Sequence, residues 1–439
     1  MKKLCSLLLI LLLWVANAHA DGVNIPFVEY DLDNGLHVIL HKDNSLPLIA
    51  VNIMYHVGSK NEQPERTGFA HFFEHLMFEG SANIPRGEFD KFVEKGGGTL
   101  NAYTSNDVTN YYILFPSNQL ETALWLESER MLHAKVDSIG IATQKSVVIE
   151  EKKQTQDNRP YGSIIYETMR RSFTKHPYQW VVIGDENHIR EAEDHEFKAF
   201  HEMFYVPNNA VLVIAGDIDI EKTKGMVDRY FSDIPKGSKE IYRPNIVEPE
   251  RKTEVRDTIY DNIQLPAVIQ SYNIPARGTD DYYAVEMLGY LLSQGQSSRL
   301  HRSLVDEQQL ALQVMAVPLG LEDPGVSLVF ALPNMGIDPA TLEDAMNVEL
   351  EKVRNELISE SELQKLKNQF ESRIVNSNTT IASRATNLAN NYTLFKDTNL
   401  INNQIEKYLA VTREDIQNAA KKYFRDDNRV VLYYLPKND

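Results

Sequence analysis

HEMFYVPNNAVLVI, residues 201–214, and AKKYFRDDNRVVLY, residues 420–433, are the stretches whose reading decides the architecture. Each runs from the end of an amphipathic helix through a polar turn into an apolar strand. Laid over one another they place Tyr205 on Phe424 and Asn209 on Asn428. Nearly the same spacing separates Leu120-Glu121-Thr122-Ala123 from Leu342-Glu343-Asp344-Ala345, and Gln144-Lys145 from Gln364-Lys365. Drift of a few residues is what loop insertions produce, so an internal duplication is expected.

Working outward, VEYDLDNGLHVILH (28–41) predicts a hairpin turning at Asp33-Asn34-Gly35, where glycine tolerates positive φ. Strands are expected over 49–57, 99–104, 110–116 and 210–215. Helices are expected over 68–79, 87–95 (stopped by Gly96-Gly97-Gly98), 120–132 (capped by Ser117 or Asn118), 194–204 and, as one long stretch, 141–173. Strands that come mostly as hairpins, with helices collected between them, argue an α+β fold rather than a parallel βαβ sheet. The expected division is a leader over 1–20, a first lobe over 21–235, a linker over 236–255 and a second, homologous lobe over 256–439. Each lobe is expected to be a mainly antiparallel sheet covered by helices.

The chain has 439 residues, 43% hydrophobic and 24% charged, the composition of an ordinary globular protein. A net charge of −17 disfavours a general nucleic-acid binder, which needs a cationic face. A single cysteine excludes an internal disulfide framework and a zinc site built on several thiolates. Lys2 and Lys3, the apolar run Leu7 to Val15 and Ala18-His19-Ala20 read as a signal peptide cleaved after Ala20. The protein is accordingly expected to be exported, periplasmic or secreted. Cys5 lies in the leader.

His71-Phe72-Phe73-Glu74-His75 carries the chemistry. On a helix, positions i and i+4 share a face, so His71 and His75 are placed to hold one ion. Glu74 projects beside them, within reach of a water polarised by that ion. Zinc suits imidazole ligands and lowers the pKa of a bound water to about 7, and a neighbouring carboxylate can take the proton and return it to a leaving amine. The order H-x-x-E-H is the inverse of the common zincin motif. Two histidines leave a catalytic zinc one protein ligand short, and the third is a carboxylate or histidine from elsewhere.

These residues resemble the insulinase/pitrilysin metallopeptidases, in particular their shorter bacterial and mitochondrial-processing-like branch. The resemblance implies that the third ligand is Glu151, in the setting Gln144-Lys145-Ser146-Val147-Val148-Ile149-Glu150-Glu151, with Glu150 as its competitor. It implies one zinc ion per chain, held by His71, His75 and Glu151, with Glu74 as the general base. Leu100 to Thr104 matches the strand that lies along the bound peptide in that family, making Asn101 and Ala102 candidate substrate contacts. Tyr178, Ile183-Gly184, Pro207-Asn208-Asn209 and Ser297-Ser298-Arg299-Leu300 match further landmarks. One departure is Gln144, which stands where the family usually carries a second glutamate supporting the site. Aligned without a gap, Phe69–Gly80 falls on Ala284–Gly295, and His71, Glu74 and His75 fall on Glu286, Gly289 and Tyr290. The second lobe thus keeps the apolar frame without the zinc chemistry.

The resemblance further implies an endopeptidase acting on peptides or unfolded segments inside a closed chamber of four lobes. A homodimer, or a heterodimer with a related chain lacking the zinc motif, is then expected. The family's substrate-clamping arginine and tyrosine are left to a partner chain, since Gly325 to Leu328 carries no arginine. The rival readings are a non-catalytic assembly subunit and a zinc-carrying binder. His176, His188, His195 and His201 are expected on solvated faces.

Overall fold

The computed structural model describes residues 24–437, so the expected leader lies outside the described residues. β1 (Val28–Asp31) and β2 (His37–Lys42) form the expected hairpin, with Val28 opposite Leu40. β3 (Leu48–Tyr55), β4 (Thr99–Thr104), β5 (Thr109–Pro116) and β6 (Ala210–Gly216) complete a six-stranded sheet in the order β1-β2-β6-β3-β5-β4. Only β2 and β6 run parallel.

The second half forms β7 (Val255–Asp261), β8 (Ala267–Asn273), β9 (Ala311–Leu319), β10 (Val326–Pro333) and β11 (Arg429–Pro436), in the order β7-β11-β8-β10-β9. Here only β7 and β11 run parallel. Strand for strand, β2 to β6 and β7 to β11 share one connectivity, so the duplication read from the sequence is present in the topology. The paired asparagines show why those positions are alike. Asn209 Nδ2 donates to the Phe204 carbonyl at 2.8 Å and the His56 carbonyl at 3.3 Å. Asn428 Nδ2 donates to the Tyr423 carbonyl at 2.6 Å and the Asn273 carbonyl at 2.9 Å. Each closes a helix end and ties it to the end of the sheet's central strand.

Side chains alternate across a strand, and β3 uses both faces. Ile49, Val51, Ile53 and Tyr55 pack with Phe69, Phe72 and Phe73 of the first half. Ala50 and Met54 face the other way, onto Ala385, Leu388 and Ala389 of the Ile381–Phe395 helix from the second half. The favour is returned: Tyr161 and Ile164 of the first half cover Ile269 and Leu432 on the outer face of the second sheet. Each lobe therefore buries its sheet partly under a helix contributed by the other.

The expected long helix over 141–173 is broken. A helix over Ser138–Lys152 passes through a wide turn at Lys153–Asp157, and a separate helix begins at Ile164. Pro160 cannot continue a helix, and Tyr161 sits at φ 59° with its backbone N–H bonded to Asp261 at 3.0 Å. A Cβ on Gly162 would meet the Gln156 carbonyl oxygen at 2.2 Å. Nor does Ser117 or Asn118 cap a helix by its side chain: Ser117–Gln119 is a 3-10 turn leading into Leu120–His133.

Within that Leu120–His133 helix, Glu127 and Arg130 form a fully buried ion pair at 3.0 Å. The guanidinium lies 4.4 Å from the ring centre of Phe78, 4.3 Å from Phe89 and 4.6 Å from Tyr111. Burial pushes the Glu127 carboxyl up and Arg130 opposes it. Removing one member strands a charge in an apolar site, so Arg130→Met is expected to cost about 3–5 kcal/mol in urea denaturation, and the Glu127→Leu/Arg130→Met pair less. A single-variant loss within about 1 kcal/mol would contradict this account.

Candidate metal centre

The helix that carries the motif spans Phe69–Leu76 and is fixed at both sides. Phe72 and Phe73 bury it against Phe197 and Phe200. Tyr111 Oη donates to the Phe73 carbonyl at 3.0 Å. At its start, the buried Glu62 carboxylate accepts from the backbone N–H groups of Gly68 at 2.9 Å and Ala70 at 2.8 Å. These are donors that a helix N-terminus leaves unpaired. Burial pushes the Glu62 carboxyl up while the N–H groups pull it down.

Gly68 enters this helix at φ 90°, pressed against Gly184, the sequence landmark. A Cβ on Gly184 would lie 2.3 Å from the Gly68 nitrogen, and Gly184 itself has φ 72°. Gly184→Ala is expected to destabilise by at least about 2 kcal/mol, because both the backbone conformation and the space are wrong for a side chain. Gly225→Ala, in a helix where the added Cβ meets nothing within 4 Å, is expected to stabilise by up to about 1 kcal/mol. Denaturation curves of the two variants check the contrast, and similar stabilities would refute it.

His71, His75 and Glu151 come together: one ligand atom from each lies within 4.8 Å of the others. Glu151 Oε2 is 3.1 Å from His75 Nε2, and Oε1 is 3.7 Å from His71 Nε2. A tetrahedral ion with bonds of about 2.0–2.1 Å sets its ligand atoms roughly 3.3–3.4 Å apart, so these spacings suit zinc. The imidazole rings stand 4.8 Å apart at 75°. Burial first, and then His75, pushes His71 down to about 3, leaving it neutral with a free lone pair. The donor set therefore fits zinc by number and type, with His71 held neutral by its burial. Among the described residues this is the one such group of metal-ligating side chains.

Glu74 is half-buried beside it. Its Oε2 accepts from Thr104 Oγ1 at 2.7 Å, and burial raises its pKa against the lowering effect of that bond and of His75. Glu150 is exposed and accepts from Gln154 at 3.1 Å, turned away from the histidines. Asn101 is exposed on β4, the edge strand, with its Oδ1 taken by the Ala102 N–H at 2.8 Å, while Ala102 is half-buried. Gln144 donates to Glu79 at 2.6 Å and makes no hydrogen bond with His71, His75 or Glu151.

An open cleft of about 560 Å³ fronts the group. Its walls include Ile165, Met169 and Trp180 from the first half and Leu319 and Leu321 from the second. Sequence reasoning missed Glu62 and Thr104, which share no local pattern with the helix they serve. It also misplaced two histidines. His176 is buried beside Tyr178, with ring centres 4.2 Å apart. His201 is stacked on Tyr205, and burial pushes it down to about 4. Tyr178 and Tyr205, two and four residues further along the chain, shelter the two rings. His195 is exposed and His188 meets Thr67 at 2.8 Å.

Comparison with known proteins adds the family context. Residues 37–178 match the family described as Insulinase (Peptidase family M16), and residues 194–370 match the Peptidase M16 inactive domain. The chain is 30% identical over 439 residues to zinc protease PqqE of Helicobacter pylori, covering 99% of each. It is 22% identical over 406 residues to an uncharacterized zinc protease, YmxG, of Bacillus subtilis, covering 92% of this chain and 97% of that one. The crystal structure of a protease from Helicobacter pylori superposes with a TM-score of 0.89 at 29% identity, over 94% of this chain and 100% of that one. The periplasmic protease PqqL from Escherichia coli superposes with a TM-score of 0.76 at 18% identity, over 94% of this chain and 48% of that one, a likeness of fold.

Proposed function

From the premise that this chain belongs to the insulinase (M16) peptidase family, we propose that it is an exported zinc-dependent endopeptidase cleaving peptides or unfolded polypeptide segments in a closed chamber. The observation that carries this reading is the convergence of His71, His75 and Glu151 with Glu74 beside them on the same cleft. Zinc held there would supply Lewis-acid polarisation of the scissile carbonyl and a water acidic enough to lose a proton near neutral pH.

The chain's own residues do the rest. Glu74 takes a proton on its carboxylate and returns it to the leaving amine. Thr104 Oγ1 holds one Glu74 oxygen at 2.7 Å, which fixes the carboxylate's orientation and leaves the other oxygen to face the cleft. β4 presents an unpaired edge beside the site, to which an extended peptide can add as a strand. Asn101 and Ala102 lie on that edge and are the proposed backbone contacts. The second lobe, with Glu286, Gly289 and Tyr290 at the corresponding helix positions, has no equivalent chemistry and serves as a wall.

Among the described residues no helix is long and apolar enough to cross a membrane, which is compatible with export. We place the lobe boundary in the 236–255 segment, which lies between the Ile220–Phe231 helix and β7. The chamber requires two further lobes, from a second copy or from a related chain without the motif.

The reading is tested with full-length processed protein purified with whatever co-purifies. Hydrolysis of an unstructured fluorogenic peptide, abolished by a chelator and restored by zinc, is expected. Native mass measurement should show a dimer. Zinc-loaded dimer that cleaves no unstructured peptide would favour the assembly-subunit reading instead.

A further inference from the structure

The duplication leaves a second cleft. Pseudo-symmetry places Glu286 where His71 stands in the first lobe. Arg373, on the Glu360–Ser377 helix, faces Glu286 as Glu151 faces His71. A cavity of about 410 Å³ survives there, between that helix, the end of β9 and the Ile381–Phe395 helix. The lobe has lost its metal chemistry and has kept the space.

Its polar lining has a definite sign. Arg373 is paired: Nη1 donates to Glu286 at 2.7 Å and to Tyr290 at 3.3 Å, and Nη2 to Tyr408 at 3.3 Å. Tyr408 in turn donates to the other Glu286 oxygen. That pair is neutral overall. Arg277 also lines the cavity and forms no ion pair and no side-chain hydrogen bond among the described residues; its guanidinium lies 5.9 Å from the Phe395 ring centre. One uncompensated positive charge therefore faces the cavity, in a chain whose net charge is −17.

Two neutral donors accompany it. Asn391 is 7% exposed, lines the cavity and has no hydrogen-bond partner among the described residues for its amide. Its amide atoms are not sealed off by the protein and face the cavity, where a ligand or water can reach them. Tyr282 is 5% exposed, and its hydroxyl likewise lacks a partner among the described residues. Gly320 makes room for that hydroxyl, since a Cβ there would lie 2.1 Å from it. A guanidinium, an amide and a phenol converging on a sheltered space suit a carboxylate.

The cavity adjoins the metal cleft. Leu319 borders both, and Asn390, on the wall of the second, donates to Tyr103 Oη, on the wall of the first, at 3.4 Å. We infer that the second-lobe cavity is a substrate-anchoring subsite that captures a carboxylate of the bound peptide, with Arg277 as its charged contact and Asn391 and Tyr282 as its neutral ones. The carboxylate is supplied by the peptide's C-terminus or by an acidic side chain. This rests on the peptidase reading for the nature of the ligand, but not on catalysis.

The test is binding by full-length Glu74→Gln protein, measured calorimetrically with three unstructured peptides. They are one with a single glutamate and a free C-terminus, its C-terminal amide, and its Glu→Gln version. Amidation or glutamate replacement is expected to weaken binding about tenfold, whichever removes the captured carboxylate, as for a lost charge-assisted hydrogen bond. In Arg277→Gln the parent peptide should bind about tenfold more weakly and the three peptides alike, whereas Arg277→Lys should keep much of the discrimination. Equal affinities for all three peptides in the Arg277-intact protein, discrimination that survives in Arg277→Gln, or no peptide binding would overturn the inference. Discriminating binding without any hydrolysis by the wild type would sink the peptidase reading and leave the subsite. Hydrolysis by the wild type without discrimination would sink the subsite alone.

Discussion

Glu74→Gln is expected to lower peptide hydrolysis by at least about 100-fold, since general acid–base catalysis is worth roughly 10²–10⁴. Zinc content and assembly should stay at wild-type levels. The amide keeps the shape of the carboxylate and can still accept from Thr104, which lies 2.7 Å away on β4. It cannot take a proton at neutral pH. The three ligating side chains, His71, His75 and Glu151, are untouched. Thr104→Val separates positioning from proton transfer. It should reduce kcat by a smaller factor, because the carboxylate remains but swings free, and it should raise the apparent pKa of the acidic limb, because the lost bond is one that holds the Glu74 carboxyl down. A Glu74→Gln protein that cleaves as fast as wild type would remove Glu74 from the mechanism even with the metal in place.

The parts of this site that were legible in the sequence are those with a local period. His71 and His75 are one helical turn apart, and the phenylalanines between and around them declare a helix with little solvent on it. Glu151 was legible only through family resemblance, because nothing in the spacing of two distant helices says that they cross. Thr104 and Glu62 were invisible for the same reason: each reaches the motif helix from another element. The duplication was legible because Asn209 and Asn428 have the same task, tying a helix end to a central strand. The exchange of covering helices was not. Ala385, Leu388 and Ala389 make an apolar stripe, but a stripe does not name the sheet it will cover. Pro160 and Gly162 carry the signal for the break in the long helix, and it outweighs the apolar pattern on either side.

Glu151→Ala is expected to take zinc from about one ion per chain to a small fraction of that, with hydrolysis lost alongside, whereas Glu150→Ala should leave both near wild type. The two glutamates are adjacent in sequence and opposite in setting. Glu151 presents its oxygens to His75 and His71 at 3.1 and 3.7 Å, and Glu150 points outward to Gln154. Removing Glu151 leaves two imidazoles, too few to hold zinc against dilution, and it also removes the negative charge that offsets the ion. His71→Ala should behave alike, and its burial makes it the sharper case: the ring is neutral and sheltered, and its Nε2 makes no hydrogen bond among the described residues, lying 3.7 Å from Glu151 Oε1. Folding must be checked beside metal content, by circular dichroism and by melting with and without zinc. Wild type should melt higher with zinc than without, since a ligand that binds only the folded state stabilises it, and Glu151→Ala should lose that difference. Full zinc in folded Glu151→Ala would move the third ligand elsewhere, first to Glu150, and full zinc in both single variants would mean that either glutamate can complete the site.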